Sequence, residues 1–255
     1  MGSGMTQDYE AGTADRELRI INLDSLEEEA SRVIPEGAFG YISGGAGDEW
    51  TMRRNREAFD SRQIVPRVLS CLEKPDTATS ILGIDIAAPA IMSPAAAHGL
   101  AHREGEVATA RGVAEAGSIM GVSTYANTTI EETAKACGGA PWWFQLYMSK
   151  DDEFNRFLLD KAVGAGARAV ILTADATVGG NREADARNGF TFPLPMANLA
   201  RYGDGKGQGM RDIRWYIVKI ENVVMYTVGF SLSRRRTHCQ THEYKMDCVL
   251  GHCRK

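Results

Sequence analysis

The regular recurrence of strands and helices is the feature of this sequence that most constrains its fold. Four apolar segments end at Pro94, Ser123, Tyr147 and Asp175, which gives steps of 29, 24 and 28 residues, with a helical pattern in each interval. Alternating strands and helices predict a parallel sheet covered by helices. About 30 residues is the repeat of a (β/α)8 TIM barrel, in which about 250 residues are shared among eight units. We therefore predict an α/β fold with about four β/α units, which is an incomplete barrel.

Capping motifs predict where several helices begin. Ser25 with Glu28 and Thr129 with Glu132 have the spacing of a capping box, in which two side chains satisfy backbone N–H groups at the start of a helix. Ser149 together with Asp152 is expected to cap the helix after the third strand. Helical patterns also occur before the first strand, so we expect amino-terminal helices ahead of the barrel units.

Polar or small residues occur where each predicted strand ends. The first strand leads into Ser93–Ala97, the second ends at Ser123, the third contains Gln145, and Thr173 follows the fourth. Parallel α/β proteins build their ligand sites at this end of the strands. An amide in an apolar strand needs several hydrogen-bonding partners if it is buried, so Gln145 is the most informative of these residues. Gln145 could instead be a core amide that is satisfied within the protein. The stretch from Ala169 to Phe190 could likewise be a core strand followed by an ordinary charged loop.

The segment from Ala169 to Phe190 carries a family resemblance. Its sequence, AVILTADATVGGNREADARNGF, resembles the FMN-dependent α-hydroxy-acid oxidases, and the TVGGNRExDxRNGF part is most similar to the lactate-oxidase branch. Five separated motifs agree in order from about Leu23 to about Asn198, which corresponds to the amino-terminal half of such an enzyme. The resemblance implies FMN-dependent oxidation of a small L-α-hydroxy acid to the 2-keto acid. It leaves open whether the acid is lactate, glycolate or mandelate, and whether oxygen or a carrier accepts the electrons.

The resemblance also implies which residues hold the cofactor FMN. Main-chain groups of the first strand end would face the flavin ring, and polar side chains of the next three strands would bond the edge of the isoalloxazine ring. Such bonds steady a flavin and tune its electron affinity. The residues at the matching positions are Pro94, Ala95, Ala96, Ser123, Gln145 and Thr173.

The substrate residues implied by the resemblance are Tyr41, Tyr147 and Arg182, and Asp175 matches the carboxylate that orients the catalytic histidine. A guanidinium can bind a carboxylate through two parallel hydrogen bonds, and phenols can bind the carboxylate or the hydroxyl group. From periodicity alone Tyr41 would be a packing side chain. Arg182 could instead be a surface arginine paired with Glu183 or Asp185.

The resemblance stops before the segment that would carry the catalytic base. In the family a histidine in an HGGRQ-like motif acts as the base, and this sequence has no such motif. Matches are also missing for the strand-five lysine, the second substrate arginine and the late phosphate loop. A second interpretation is therefore a catalytically inactive, truncated or frame-shifted fragment with weak or no FMN binding. The histidines of the chain are His98, His102, His238, His242 and His252.

The composition changes near residue 210. Residues 211–255 carry nine Lys/Arg and four Asp/Glu, a net charge of +5 that leaves −9 for residues 1–210 out of the total of −4. We predict a disordered lead at 1–17, the amino-terminal half of an FMN-dependent hydroxy-acid dehydrogenase domain at 18–210, and an unrelated basic tail at 211–255. A third interpretation is a half barrel with a zinc-binding or interaction tail, although the ligand order matches no common finger. Its candidate zinc ligands are Cys239, His242, Cys248 and His252.

Charge and hydropathy narrow the choice of partners. The net negative charge of residues 1–210 disfavours a nucleic-acid partner, because a domain that binds nucleic acid normally presents a basic face. No apolar run approaches the roughly 18 residues of a membrane-spanning helix, and the start of the chain lacks the apolar region of a secretory signal. We therefore predict a cytoplasmic protein whose partner is a small α-hydroxy acid. An incomplete barrel would leave strand edges unpaired, so we also expect a homo-oligomer or an edge-paired aggregate.

Overall fold

In the described part of the chain, three helices and a hairpin precede the central sheet. The computed structural model describes Tyr9 and residues 21–69, 73–149, 151–173, 179–202 and 225–226. The hairpin is antiparallel and pairs Thr79 with Ile86. These amino-terminal elements are α1 (Asp24–Val33), α2 (Glu36–Ser43), α3 (Trp50–Asp60), β1 (Thr79–Ile81) and β2 (Ile84–Ile86).

The central sheet is parallel, and its strands follow one another in chain order. All four strands predicted from the sequence are present, and a two-residue strand within the apolar run of residues 217–230 pairs with the fourth. The predicted α/β fold with an incomplete barrel is confirmed. The strands are β3 (Met92–Ala95), β4 (Met120–Val122), β5 (Trp142–Leu146), β6 (Ala169–Leu172) and β7 (Met225–Tyr226). The helices that follow β3 to β6 are α4 (Gly105–Glu115), α5 (Ile130–Ala136), α6 (Asp152–Gly164) and α7 (Glu183–Asn188).

The central strand β5 shows how the sheet divides its two faces. Trp142, Phe144 and Leu146 belong to the main core cluster, which also contains buried residues of α4, α5 and α6. Trp143 belongs to a second cluster with residues of the hairpin β1–β2. Because side chains alternate along a strand, Gln145 shares the face of Trp143 and lies nearer the carboxyl end. The hairpin therefore packs near the amino ends of the strands, and the polar residues occupy the opposite end.

The helix starts confirm one of the predicted caps and correct two. The capping box of Thr129 and Glu132 is present at the start of α5. The prediction for Ser25 was wrong, because α1 begins at Asp24 and Ser25 therefore lies in its first turn. The prediction for Ser149 was also wrong, because the side chain of Asp151 caps α6. Serine and aspartate are both favoured N-caps, but Asp151 directly precedes the first residue of α6, from where its carboxylate accepts the backbone N–H of Phe154.

Within the described part of the chain, no helix is long and apolar enough to cross a membrane.

Candidate functional site

Three polar side chains form one hydrogen-bonded row across the carboxyl ends of β4, β5 and β6. Ser123 Oγ donates to Gln145 Oε1 at 3.2 Å, and Gln145 Nε2 donates to Thr173 Oγ1 at 3.0 Å. The backbone N–H of Thr124 also donates to Gln145 Oε1, at 3.2 Å. The structure thus brings together Ser123, Gln145 and Thr173, which the sequence had picked out on three separate strands.

The bonds of Gln145 fix which way its amide faces. The oxygen is directed to the β4 side and the nitrogen to the β6 side of the sheet. An amide nitrogen carries two hydrogens, and Gln145 Nε2 makes one hydrogen bond with the described residues. The same bonds satisfy the amide inside the protein, so its burial by itself does not require a ligand. One of its two N–H groups therefore has no partner among the described residues, and it lies at the carboxyl edge of the sheet.

The predicted main-chain contacts lie at the end of β3, beside β4. Pro94 sits against Gly121, where an added Cβ would lie 2.7 Å from Pro94 Cδ, so only glycine lets the two strands approach this closely. Ala95 is exposed and Ala96 is half-buried. Ala97 has a positive φ of 55°, which turns the chain away from the strand. The exposed methyl group of Ala95 is small, so the backbone at the end of β3 is not covered by its own side chain.

Arg182 lies against the ring of Tyr41, another of the three predicted substrate residues. The guanidinium carbon is 4.5 Å from the ring centroid, and Nη2 donates to the backbone oxygen of Tyr41. Arg182 Nε donates to Asp185 Oδ2 at 2.6 Å. The pairing with Asp185 that was the alternative for Arg182 therefore exists together with the contact to Tyr41, and the arginine is not a freely solvated surface residue.

The Tyr41 ring is held by two further aromatic side chains. Phe190 stacks on it with a centroid distance of 5.3 Å, and Phe192 contacts it edge-on at 4.7 Å. Burial raises the pKa of the Tyr41 hydroxyl, while nearby Arg182 lowers it and Asp185 raises it to smaller extents. The net increase keeps this phenol protonated, and hence able to donate, at neutral pH.

Tyr147 belongs to a different set of contacts from Tyr41 and Arg182. Its ring stacks on Tyr125 with a centroid distance of 5.0 Å. Its backbone N–H donates to Thr124 Oγ1 at 3.3 Å, and that hydroxyl donates to the backbone oxygen of Gln145 at 2.6 Å. Burial, and then the neighbouring Tyr147, raise the pKa of Tyr125. Tyr147 is therefore linked to the row formed by Ser123, Gln145 and Thr173.

Some predictions fall outside the described residues. Asp175 lies between two described segments, and its orienting role stays a prediction. The four candidate zinc ligands of the tail are also outside, and so is most of the sequence on which the divisions at residues 17 and 210 depend. The assignment of individual residues to the flavin or the substrate likewise stays a prediction.

Glu106 is fully buried near the start of α4, and it was not among the residues predicted from the sequence. The buried residues of α4 include Glu106 and Ala110, and Val113 packs against the core. These three positions follow the i, i+4, i+7 spacing of one helix face. A charged residue at an apolar position of that face was the signal that could have revealed it.

The described residues also form a groove away from the sheet. It has a volume of about 650 Å³ and lies between α1, α2 and α3, with Leu26, Phe39 and Met52 in its lining. None of the predicted site residues lines this groove, so it is separate from the candidate site at the carboxyl edge of the sheet.

The chain is similar in sequence to proteins named as hydroxy-acid oxidases. The L-lactate oxidase of Lentilactobacillus hilgardii is 54% identical over 207 residues, which are 80% of this chain and 56% of that protein. Glycolate oxidase 3 of Oryza sativa subsp. indica is 39% identical over 189 residues, which are 73% of this chain and 51% of that protein. The chain thus spans about half the length of the curated relatives it matches.

Solved structures give the same result for the fold. A Pediococcus acidilactici protein described as a lactate oxidase superposes with a TM-score of 0.76 at 54% identity, covering 81% of this chain and 58% of that one. A mandelate oxidase superposes with a TM-score of 0.68 at 33% identity, covering 74% of this chain and 55% of that one.

The family comparison agrees with the predicted resemblance and with its cofactor. The family described as FMN-dependent dehydrogenase matches residues 30–221, which is most of the chain. That match and the identity to lactate oxidases confirm the resemblance found in the segment from Ala169 to Phe190. The chain belongs to the FMN-dependent dehydrogenase family.

Proposed function

We propose that the whole protein to which this chain corresponds oxidises a small, lactate-like L-α-hydroxy acid to the 2-keto acid with FMN. The observation that carries the proposal is the row of Ser123, Gln145 and Thr173 at the carboxyl ends of three parallel strands. This is the edge at which barrel enzymes bind their ligands. The names of the relatives, which include L-lactate oxidases and glycolate oxidases, support the substrate class.

The residues present fit a flavin in chemical type. Hydroxyl groups both donate and accept, and the amide nitrogen of Gln145 has a hydrogen beyond its bond to Thr173. The ring edge of a flavin alternates donors and acceptors, which such a set can satisfy. The exposed Ala95 offers main chain without a bulky side chain beside the row. Bound FMN would supply the two-electron oxidant that amino-acid side chains lack.

The substrate would be held by Arg182, Tyr41 and Tyr147. The contacts of Arg182 to Asp185 and to the Tyr41 backbone use two of the five N–H groups of the guanidinium, so others can bind a carboxylate. A protonated Tyr41 phenol would donate to the same anion. We assign Asp175 the role of orienting the catalytic histidine, which the family supplies from a segment with no counterpart in this sequence.

We also propose, as an alternative, that the 255-residue polypeptide by itself binds FMN weakly and does not turn over a hydroxy acid. The printed sequence contains no HGGRQ-like motif, and the described residues form five strands of a fold that closes with eight. Under this proposal the row formed by Ser123, Gln145 and Thr173 would be one wall of a pocket whose other wall is not encoded here.

One experiment separates the two proposals. The 255-residue chain would be purified, titrated with FMN by flavin fluorescence, and then mixed anaerobically with L-lactate, glycolate or mandelate while the visible flavin absorbance is recorded. Tight binding with bleaching by one acid would support an active oxidase, and weak binding without bleaching would support the inactive fragment.

Gln145→Ala should weaken FMN binding about tenfold or more, as the loss of a buried hydrogen-bonding group would. Asn155→Ala removes a buried amide that bonds Ser149 in the β5–α6 connection, and it is the matched control. Equal FMN affinity in both variants would contradict the role of Gln145.

Self-association is a further part of the proposal. In the described sheet, β3 and β7 are the edge strands, and an unpaired edge presents N–H and C=O groups to other chains. We expect dimers or edge-paired aggregates in sedimentation velocity, and a compact, monodisperse monomer would contradict this. Location in the cytoplasm remains a prediction from the sequence.

A further inference from the structure

The buried carboxylate of Glu106 binds donors from two separate loops. Its Oε1 accepts the backbone N–H of His98 at 3.0 Å and that of Asn127 at 3.1 Å. Its Oε2 accepts both the backbone N–H and the hydroxyl of Thr128, at 3.2 and 3.1 Å. The side chain has no exposed surface. Four hydrogen bonds therefore connect one carboxylate to the connections that follow β3 and β4.

Two more hydrogen bonds join the same connections directly. Asn127 Oδ1 accepts the N–H of Gly99 at 3.0 Å, and the N–H of Ala97 donates to the backbone oxygen of Tyr125 at 3.1 Å. An added Cβ at Gly99 would lie 2.8 Å from Asn127 Oδ1, so the two connections are in close contact. Glu106 accepts hydrogen bonds from both of these connections, from His98 in the first and from Asn127 and Thr128 in the second.

The chemistry of the contacts requires a carboxylate at this position. All four groups that bind Glu106 are neutral donors, and an ionised carboxylate is a pure acceptor that can serve all of them. A glutamine of the same shape would replace one oxygen by an NH₂ group. Because each oxygen accepts at least one backbone N–H, either orientation would leave at least one of these donors without an acceptor. Hydrogen bonds to a charged group are stronger than neutral ones.

We propose that Glu106 is a positioning residue that holds the β3 and β4 connections in one arrangement and, through them, the cofactor edge. The β3 connection begins at Ala96, directly after Pro94 and Ala95, and the β4 connection begins at Ser123. Glu106 itself is not assigned any contact with FMN. The consequence for cofactor affinity rests on the proposed function, whereas the coupling of the two loops does not.

The test compares Glu106→Gln with Glu132→Gln in the full chain. Glu132 is a matched control, because its carboxylate also accepts the N–H and hydroxyl of a threonine, Thr129, but on the exposed surface of α5. Hydrogen exchange of the FMN-free proteins would be followed by mass spectrometry. Glu106→Gln should speed exchange about tenfold or more in residues 97–101 and 125–129 together, the factor expected when a charge-assisted hydrogen bond is lost. Residues 142–146 of β5 should keep the wild-type rate in both variants.

Two outcomes would overturn the proposal. One is unchanged exchange in both loops of Glu106→Gln, and the other is an equal increase throughout the chain, which would indicate only a loss of global stability. If Glu106→Gln does not fold, Thr128→Val replaces it. This change removes the hydroxyl donor to Oε2 together with the hydrogen bond between the hydroxyls of Thr128 and Thr133, and it keeps the backbone N–H of residue 128. It should speed exchange in residues 97–101 as well as in its own loop, and an effect confined to 125–129 would refute the coupling.

An FMN titration of the same variants separates this proposal from the proposed function. Glu106→Gln should lose about tenfold or more in affinity relative to Glu132→Gln. If the wild-type chain does not bind FMN, the proposed function fails for this polypeptide, while the exchange experiment still decides whether Glu106 couples the loops.

Discussion

Replacing Gln145 by leucine tests how far the polar row supports the sheet itself. The change keeps the approximate size of the side chain and removes every polar atom from it. Three groups lose their partner: Ser123 Oγ, the backbone N–H of Thr124, and Thr173 Oγ1. Thr124 and Ser123 are buried, so water cannot readily replace the lost bonds.

The structure allows the size of the effect to be estimated. The N–H of Thr124 cannot reorient, and a buried donor left without an acceptor costs about 1–3 kcal/mol. The two hydroxyls can rotate, and losing their bonds costs about 0.5–1.5 kcal/mol each. Burial of the leucine side chain offsets part of this sum. We expect Gln145→Leu to lower the free energy of unfolding by about 2–4 kcal/mol, and Thr173→Val, which removes one bond, to lower it by about 1 kcal/mol.

Urea denaturation of the two single variants and the double variant measures both values and their coupling. Because Gln145 and Thr173 share a hydrogen bond, the double variant should lose less stability than the sum of the single losses. Strict additivity would show that the bond of 3.0 Å contributes nothing, and a loss below about 1 kcal/mol for Gln145→Leu would refute the estimate as a whole.

Two other predictions concern strand packing and pH. Gly121→Ala should destabilise the protein by about 1–3 kcal/mol, because the added Cβ would lie 2.7 Å from the ring of Pro94. Gly112→Ala in α4, where no atom lies within 4 Å of the added Cβ, should instead stabilise the protein by about 0.5–1 kcal/mol. Thermal unfolding measures both effects, and a destabilised Gly112→Ala variant would contradict the comparison. Burial raises the pKa of Tyr41 above its ordinary value of 10.0, so above pH 10 the unfolded chain loses this proton first and stability should fall as the pH rises through the folded pKa. Tyr41→Phe should show a shallower fall in urea midpoints between pH 9 and pH 11, and an unchanged slope would refute it.

The sequence by itself determined the elements and their order. Strand positions followed from short apolar runs, and their spacing of 24 to 29 residues predicted a parallel barrel-type sheet. Ser123, Gln145 and Thr173 were predicted to lie close together, because each is at the carboxyl end of a parallel strand and these ends lie along the same edge of the sheet. The cap at Thr129 was also predictable, since a capping box involves residues only three positions apart.

Only the tertiary structure decided which groups bind one another across the fold. The partners of Glu106 are mainly backbone N–H groups 8 to 22 residues away, and a backbone group has no signature in the sequence. The contact of Arg182 with Tyr41 spans 141 residues and depends on how α7 packs against α2. Periodicity and capping are local properties that a short segment expresses alone. The partner of a buried charge or ring is instead set by loop geometry and by the approach of distant elements, which exist only once the chain has folded.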